Sequence, residues 1–223
     1  MSEIVNDTRK ETHETISSLL GEGVGRRVIC VTGLHGAWLN QVAFRFEKAG
    51  ASILWPSQDM SLMEATRLYK DNAENIELLR IHESVYDACG LSWFDSRRPR
   101  FFDAPCPGPD DFIAQFPEDS DIVLVDYRLC VFIPLWHKHV TDFVFVGQPK
   151  ESINDTLRQW QPRSDRDTRS AVIDSYIDAV NSDLGLIDKV WYIENSDIRK
   201  NSSSFEILRV LSSSVDVTKI KED

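Results

Sequence analysis

Short runs of apolar residues alternate along this chain with segments whose apolar residues recur at helical spacing. The runs predict strands at Val28–Val31, Ala51–Trp55, Ile122–Val125, Phe143–Val146 and Val190–Ile193. Such continuous apolar runs are typical of strands that are buried on both faces of a parallel sheet. Strands that alternate with helices predict an α/β three-layer domain with a mainly parallel sheet of four or five strands.

Helical spacing of apolar residues is clearest after the first strand, where Leu39, Val42, Ala43 and Phe46 lead to a capping Gly50. Further helices are predicted within 65–89, 127–136, 152–160, 164–184 and 205–211. In a parallel α/β sheet, ligands bind beyond the carboxyl ends of the strands. We therefore expect the ligand crevice at the loops that follow Val31 and Val146.

Composition adds that this is an ordinary globular chain with one domain. Of its 223 residues 42% are hydrophobic and 27% are charged, and no Pro/Ser-rich linker divides it. The polar residues 1–24 are predicted to form a peripheral N-terminal segment, and residues 25–223 the domain. The formal net charge of −11 argues against binding to nucleic acid or to an anionic membrane surface.

The cysteines and the apolar runs predict a cytoplasmic protein. Cys30, Cys89, Cys106 and Cys130 stand far apart and form no C-x-x-C pair. The N-terminus has no apolar core of signal-peptide length, and no stretch of about 18 uncharged apolar residues occurs. We expect neither secretion by that route nor a membrane span.

The segment VTGLHGAWLNQVAFRFEKAGA (31–51) has the form of a strand, a phosphate-binding loop and a helix. It lacks the lysine and the hydroxyl residue of a Walker loop, so nucleotide hydrolysis through that motif is not expected. It resembles the loop of bacterial P-loop sulfotransferases, which typically reads T-G-M-H-R-S-G-T-S. Three later segments resemble the same family in order and spacing. They are 74–93, which ends in CGLSW where the family has L-G-x-S-W; 126–136, DYRLCVFIPLW; and 143–157, which begins with FVFV.

This resemblance implies a P-loop-type fold and transfer of a sulfuryl group from 3′-phosphoadenosine 5′-phosphosulfate (PAPS) to a hydroxyl or an amine. Catalysis would depend on cations and N–H groups that stabilise the departing phosphate. The family's donor loop maps onto Gly33, His35, Gly36, Ala37, Trp38, Leu39 and Asn40. Of these, Gly33 and His35 match the family, whereas Gly36 replaces its basic residue.

All of the remaining donor-site positions also depart from the family. Ala37, Leu39 and Asn40 replace hydroxyl residues, and Trp38 replaces a glycine whose place leaves room for phosphate. In the second phosphate site, Gly147 replaces an arginine and Asp155 replaces a serine. Together these changes remove about 5 kcal/mol or more of donor binding, which is over a thousandfold in affinity.

Other candidate groups have two readings each. Asp126 and Arg128 are either a remnant of an active site or a buried ion pair that holds a loop. His137 and His139 resemble a metal pair but lack a third ligand, so no metal is expected. The basic and aromatic stretch 93–102 either holds an anionic acceptor or is a solvated loop.

Two functions fit the sequence, and no catalytic residue is identified. In the first, the chain is a sulfotransferase-like pseudoenzyme that needs no cofactor and binds a protein partner or another ligand. In the second, it is an active sulfotransferase that uses PAPS and a glycan or small hydroxyl acceptor. The replacements at Gly36, Gly147 and Asp155 favour the first.

Overall fold

The computed structural model describes residues 15–34, 37–54, 73–91, 108–147, 166–200 and 205–211, and the single positions 153, 158 and 215. These residues form an α/β fold around a mostly parallel sheet of six strands. The strands are β1 (Val28–Gly33), β2 (Ser52–Leu54), β3 (Ile122–Val125), β4 (Asp142–Gly147), β5 (Val190–Glu194) and β6 (Leu208–Val210).

The strand order across the sheet is β2-β3-β1-β4-β5-β6. The first five strands are parallel, and β6 runs antiparallel to β5. Every residue of β1, β3 and β4 is buried, although side chains alternate between the two faces of a sheet. Both faces of the sheet centre are therefore covered, as the continuous apolar runs predict.

Seven helices and two 3-10 turns accompany the sheet in the described part of the chain. The helices are α1 (Ile16–Leu20), α2 (Leu39–Lys48), α3 (Ala73–Ala88), α4 (Pro109–Ile113), α5 (Ile133–Trp136), α6 (Arg166–Asp183) and α7 (Asn195–Lys200). The 3-10 turns are Tyr127–Cys130 and Leu184–Leu186. Helix α2 packs against β1, β2 and β3, whereas α6 packs against α5 and both 3-10 turns.

Most of the predicted elements are confirmed, and their ends follow the expected chemistry. Helix α2 buries Leu39, Val42, Ala43 and Phe46 and is followed by Gly50, whose φ of 97° suits a residue without a β-carbon. The predicted turn and helix at 127–136 are both present. The helices predicted at 65–72 and over most of 152–160 lie outside the described residues.

The prediction of a closing helix at 205–211 is wrong. The segment is extended, and its residues Leu208–Val210 form β6, so the sheet has six strands and not four or five. Phe205 and Ile207 are buried and Glu206 and Leu208 are exposed, which is the two-residue period of a strand. The spacing of Phe205, Leu208 and Leu211 imitates a helical stripe by chance.

The extended C-terminal segment is tied back to helix α2. A guanidinium N–H of Arg45 donates a hydrogen bond to the carbonyl oxygen of Phe205. The same guanidinium lies 4.6 Å from the centroid of the Phe205 ring, within the range of a cation–π contact. The first helix after β1 is thereby joined to the last strand region of the described chain.

Two phenylalanines of α2 offer a direct test of which helix face lies in the core. Phe46 is fully buried, whereas Phe44 is 50% exposed. Phe46→Ala is expected to lower the free energy of unfolding by about 3 to 5 kcal/mol, because it removes a buried ring and leaves a cavity. Phe44→Ala is the matched control and should change it by no more than about 0.5 kcal/mol in urea denaturation. Equal effects would contradict the placement of α2.

Candidate active-site crevice

The strand order locates a crevice at the carboxyl ends of β1 and β4. These two strands are neighbours. In the strand order, β2 lies to one side of β1 and β5 lies to the opposite side of β4. The chain therefore leaves β1 and β4 in opposite directions along the sheet. Loops that diverge in this way open a crevice between them, where ligands bind in α/β sheets. Gly33 and Gly147, both predicted donor-site positions, are the last residues of the two strands.

At the end of β1, a glycine is required by the close approach of β4. A β-carbon on Gly33 would lie 2.5 Å from the carbonyl oxygen of Val146 and 2.9 Å from Cβ of Ala37. Backbone and loop therefore meet here with no space for a side chain. The glycine that the donor loop shares with the sulfotransferase pattern has a packing role in this chain.

The described part of the loop after β1 uses its N–H groups internally. The N–H of Ala37 donates to the carbonyl oxygen of Leu34 over 3.0 Å, and that of Trp38 donates to Oδ1 of Asn195 over 3.1 Å. The N–H of Gln41 is directed to Oδ1 of Asn40 over 3.0 Å. An anion cradle needs N–H groups that point at the ligand, and these three point at protein acceptors.

Trp38 stands immediately before α2, and its side chain is 36% exposed. Leu39, the next donor-loop position, is buried in the core, and Asn40 is exposed. The indole of Trp38 thus lies at the surface of the carboxyl edge, whereas Leu39 anchors the helix below it. Three neighbouring positions of the predicted donor loop have three different surroundings.

The end of β4 faces an aromatic and acidic pair on β5. A β-carbon on Gly147 would overlap Oη of Tyr192, so the phenol occupies the space beside this glycine. Tyr192 Oη donates a hydrogen bond of 2.6 Å to Oε1 of Glu194, which is paired with Gly147 in the sheet register. The Tyr192 ring stacks on that of Phe145, with centroids 6.3 Å apart and planes 9° apart. The family's arginine position is therefore bordered by a phenol and a carboxylate.

Three further donor-site positions, His35, Gly36 and Asp155, lie outside the described residues. The basic and aromatic stretch 93–102 lies outside them as well. The described residues therefore bring together Gly33, Ala37, Trp38 and Gly147 at one edge, with Tyr192, Glu194 and Asn195 beside them. The sequence did not single out these last three residues, because Tyr192 lies within the fifth apolar run and Glu194 and Asn195 follow it without any motif.

A second group of charged side chains, His82, Glu83, Asp126 and Arg128, lies next to the carboxyl end of β3. We call it the buried charge cluster. Its residues His82, Asp126 and Arg128 are 0% exposed. Nε of Arg128 lies 3.7 Å from Oδ1 of Asp126, and an Nη1–Oε1 distance of 3.7 Å joins Arg128 to Glu83. Oδ1 of Asp126 also accepts the backbone N–H of Arg128 over 2.8 Å.

The buried histidine of this cluster is held by two partners. Its Nε2 accepts a hydrogen bond of 3.1 Å from the indole N–H of Trp136. A neutral imidazole that accepts at Nε2 carries its proton on Nδ1, and Nδ1 faces Oδ2 of Asp126 at 3.4 Å. The cluster is sealed from solvent at its centre. Of the two readings of Asp126 and Arg128, this geometry favours the buried ion pair that holds the loop.

Burial and charge oppose each other in the pKa values of the cluster. Burial alone would raise the pKa of Asp126, but the charge of Arg128 and the contact with His82 lower it below its usual value. Burial lowers the pKa of His82, and the neighbouring Asp126 offsets only part of this effect. Burial raises the pKa of Glu83 despite the attraction of Arg128. The cluster therefore contains a charged Asp126 and a neutral His82 at pH 7.

The other predicted polar groups form no metal site in the described residues. His139 Nδ1 lies 2.7 Å from Oδ1 of Asp110, and Nδ1 of His137 lies 3.1 Å from the carbonyl oxygen of Pro134. Nowhere in the described ranges do three or more His, Cys, Asp or Glu side chains form a group that could hold a metal ion. His137 thus has a partner on α5, and His139 has one on α4.

Comparison with known proteins adds no family assignment. No protein-family model and no curated protein matches the sequence. Within the described residues, no helix combines the length and the apolar character needed to cross a membrane.

The buried ion pair makes a prediction about stability. Asp126→Asn is expected to lower the free energy of unfolding by about 3 to 5 kcal/mol, because it removes one of the two carboxylates that lie 3.7 Å from the buried Arg128 guanidinium. The double variant with Arg128→Met should lose less than the sum of the two single variants in urea denaturation, with a coupling of about 1 to 3 kcal/mol. Strictly additive losses would show that the two side chains do not interact.

The buried histidine makes a prediction about pH. Because its pKa is lowered in the folded state, the unfolded chain binds the proton first as the pH falls below about 6.5. Stability should therefore decrease on acidification from pH 6.5, by at most about 1.4 kcal/mol per pH unit from this one group. His82→Gln can still accept from Trp136 but does not titrate, so its stability should depend less on pH between about 6.5 and 5. An unchanged slope in chemical denaturation would contradict this assignment.

Proposed function

We propose that this chain is a sulfotransferase-like protein that does not bind PAPS and holds another ligand or a protein partner in the crevice between β1 and β4. The proposal combines the resemblance of the four sequence segments with the geometry at the carboxyl edge. In this reading the protein is non-catalytic towards PAPS and cytoplasmic. It binds neither nucleic acid nor a membrane.

The observation that carries the proposal is the pair formed by Tyr192 and Glu194 beside Gly147. The phenol fills the space that a β-carbon on Gly147 would need, so an arginine cannot replace this glycine without displacing Tyr192. Glu194 adds a negative charge at the same point of the sheet edge. Two negative charges about 4 Å apart repel each other by roughly 1 to 4 kcal/mol, so a phosphate is disfavoured here.

The loop after β1 supports the same conclusion. The N–H groups of Ala37 and Trp38 donate to Leu34 and Asn195 and not towards the crevice. A phosphate at this loop would have to break these bonds, each worth about 0.5 to 1.5 kcal/mol net. Both halves of the donor site, at the ends of β1 and β4, are thus unfavourable for the same anionic ligand.

The cysteines support the cytoplasmic part of the proposal. Cys30, Cys89 and Cys130 are free thiols in the described residues, as in proteins of a reducing compartment. Burial raises the pKa of the Cys30 and Cys130 thiols, so they stay protonated and unreactive. The interior cysteines thus serve as small apolar side chains.

A calorimetric titration of the protein with adenosine 3′,5′-bisphosphate tests the proposal. The wild type is expected to give no detectable binding. The repaired variant Gly36→Arg, Gly147→Arg and Asp155→Ser should still bind poorly, because Tyr192 blocks a side chain at position 147. Adding Tyr192→Ala should produce measurable binding that weakens as salt is raised, since the gain is electrostatic.

A charge control and one decisive outcome complete this experiment. Asp178→Arg places an added cation on the exposed face of α6 and should not create binding. Thermal melting of every variant identifies any that fails to fold. Micromolar binding of the bisphosphate to the wild type would overturn the proposal and favour an active sulfotransferase with a glycan or small hydroxyl acceptor.

A further inference from the structure

The crevice carries groups that accept hydrogen bonds where the sulfotransferase pattern has groups that donate them. Tyr192 and Glu194 lie side by side on β5, and the 2.6 Å bond between them fixes the carboxylate against the phenol. The phenol oxygen has lone pairs, and the carboxylate has acceptor sites beyond the single hydrogen bond from Tyr192. Glu194 itself is exposed. A ligand that supplies N–H donors and positive charge is complementary to this pair.

A second feature of the same edge is the indole of Trp38. The backbone N–H of Trp38 is bound to Oδ1 of Asn195, the residue that follows Glu194, and Asn195 is 1% exposed. This buried side chain fixes the loop of Trp38 to the strand end that carries the carboxylate. The indole is 36% exposed at this edge. The face of an indole attracts cations.

We propose that the crevice binds the protonated amine of a small organic ligand, with Glu194 and Tyr192 as acceptors and Trp38 as the aromatic wall. This inference rests on the proposed function, because the amine would lie beside Gly147. In a sulfotransferase that binds PAPS, the 3′-phosphate would lie at this position. The carboxylate supplies the charge, the phenol holds it in one orientation, and Asn195 fixes the loop that brings the indole. The acidic net charge of the chain favours the approach of a cation.

The test uses propylammonium as the probe and propan-1-ol as its uncharged counterpart of similar size. Both are titrated into the full chain at pH 7, and binding is followed by the chemical shifts of the tryptophan indole N–H groups. Propylammonium should shift one indole signal with a saturable curve, and propan-1-ol should bind at least about tenfold more weakly. Equal affinity for the two probes would overturn the inference.

Variants separate a built site from general attraction to an acidic protein. Glu194→Gln should weaken propylammonium binding at least about tenfold, since it removes the charge but keeps the shape. Asp178→Asn removes one exposed charge on α6 and should change the affinity less than about twofold. Tyr192→Phe should weaken binding about threefold. Equal effects of Glu194→Gln and Asp178→Asn would overturn the inference.

The two proposals fail in different ways. If adenosine 3′,5′-bisphosphate does not bind and propylammonium does not bind either, the loss of PAPS binding stands and the amine site is refuted. If the bisphosphate binds the wild type at micromolar concentration, the proposed function is refuted, whatever propylammonium does. Saturable binding of propylammonium that depends on Glu194, with no binding of the bisphosphate, supports both.

Discussion

The complete burial of β1 is the constraint on which the rest of this structure depends. This strand lies between β3 and β4, and all six of its residues are buried. A strand in this position is largely apolar, and its one polar side chain, Thr32, donates a hydrogen bond to the carbonyl oxygen of Tyr127. At Gly33, where the strand ends, the backbone of β4 comes too close for a side chain. The shape of this edge of the crevice therefore follows from the packing of the strands and does not require a ligand.

The charged groups at the carboxyl edge of the sheet are buried on one side and exposed to solvent on the other. On the β3 side, the buried charge cluster pairs its charges internally, with guanidinium nitrogens of Arg128 3.7 Å from carboxylate oxygens of both Asp126 and Glu83. On the β5 side, Glu194 remains in contact with solvent. Similar residue types thus serve different purposes on the two sides, because a carboxylate that is sealed with a guanidinium stabilises a loop and an exposed one is accessible to ligands.

The sequence predicted the strands well because their apolar runs are set by burial, which acts on each residue separately. It predicted the wrong element at 205–211, because only the pairing of Leu208–Val210 with β5 decides between the two periods in so short a segment. In the candidate site, the glycines could be predicted from a local motif. Tyr192, Glu194 and Asn195 could not, because their importance arises from strands that are adjacent in space and distant along the chain.

The link between Arg45 and Phe205 has a consequence for how the chain acquires its structure. Helix α2 belongs to the earliest strand–helix–strand unit, yet one of its side chains is held by a residue near the end of the described chain. Contacts between residues so far apart in sequence form late, since the intervening chain must first be ordered. During synthesis Arg45 therefore lacks this contact until residue 205 has emerged from the ribosome. A chain that stops before residue 205 would lack the contact altogether.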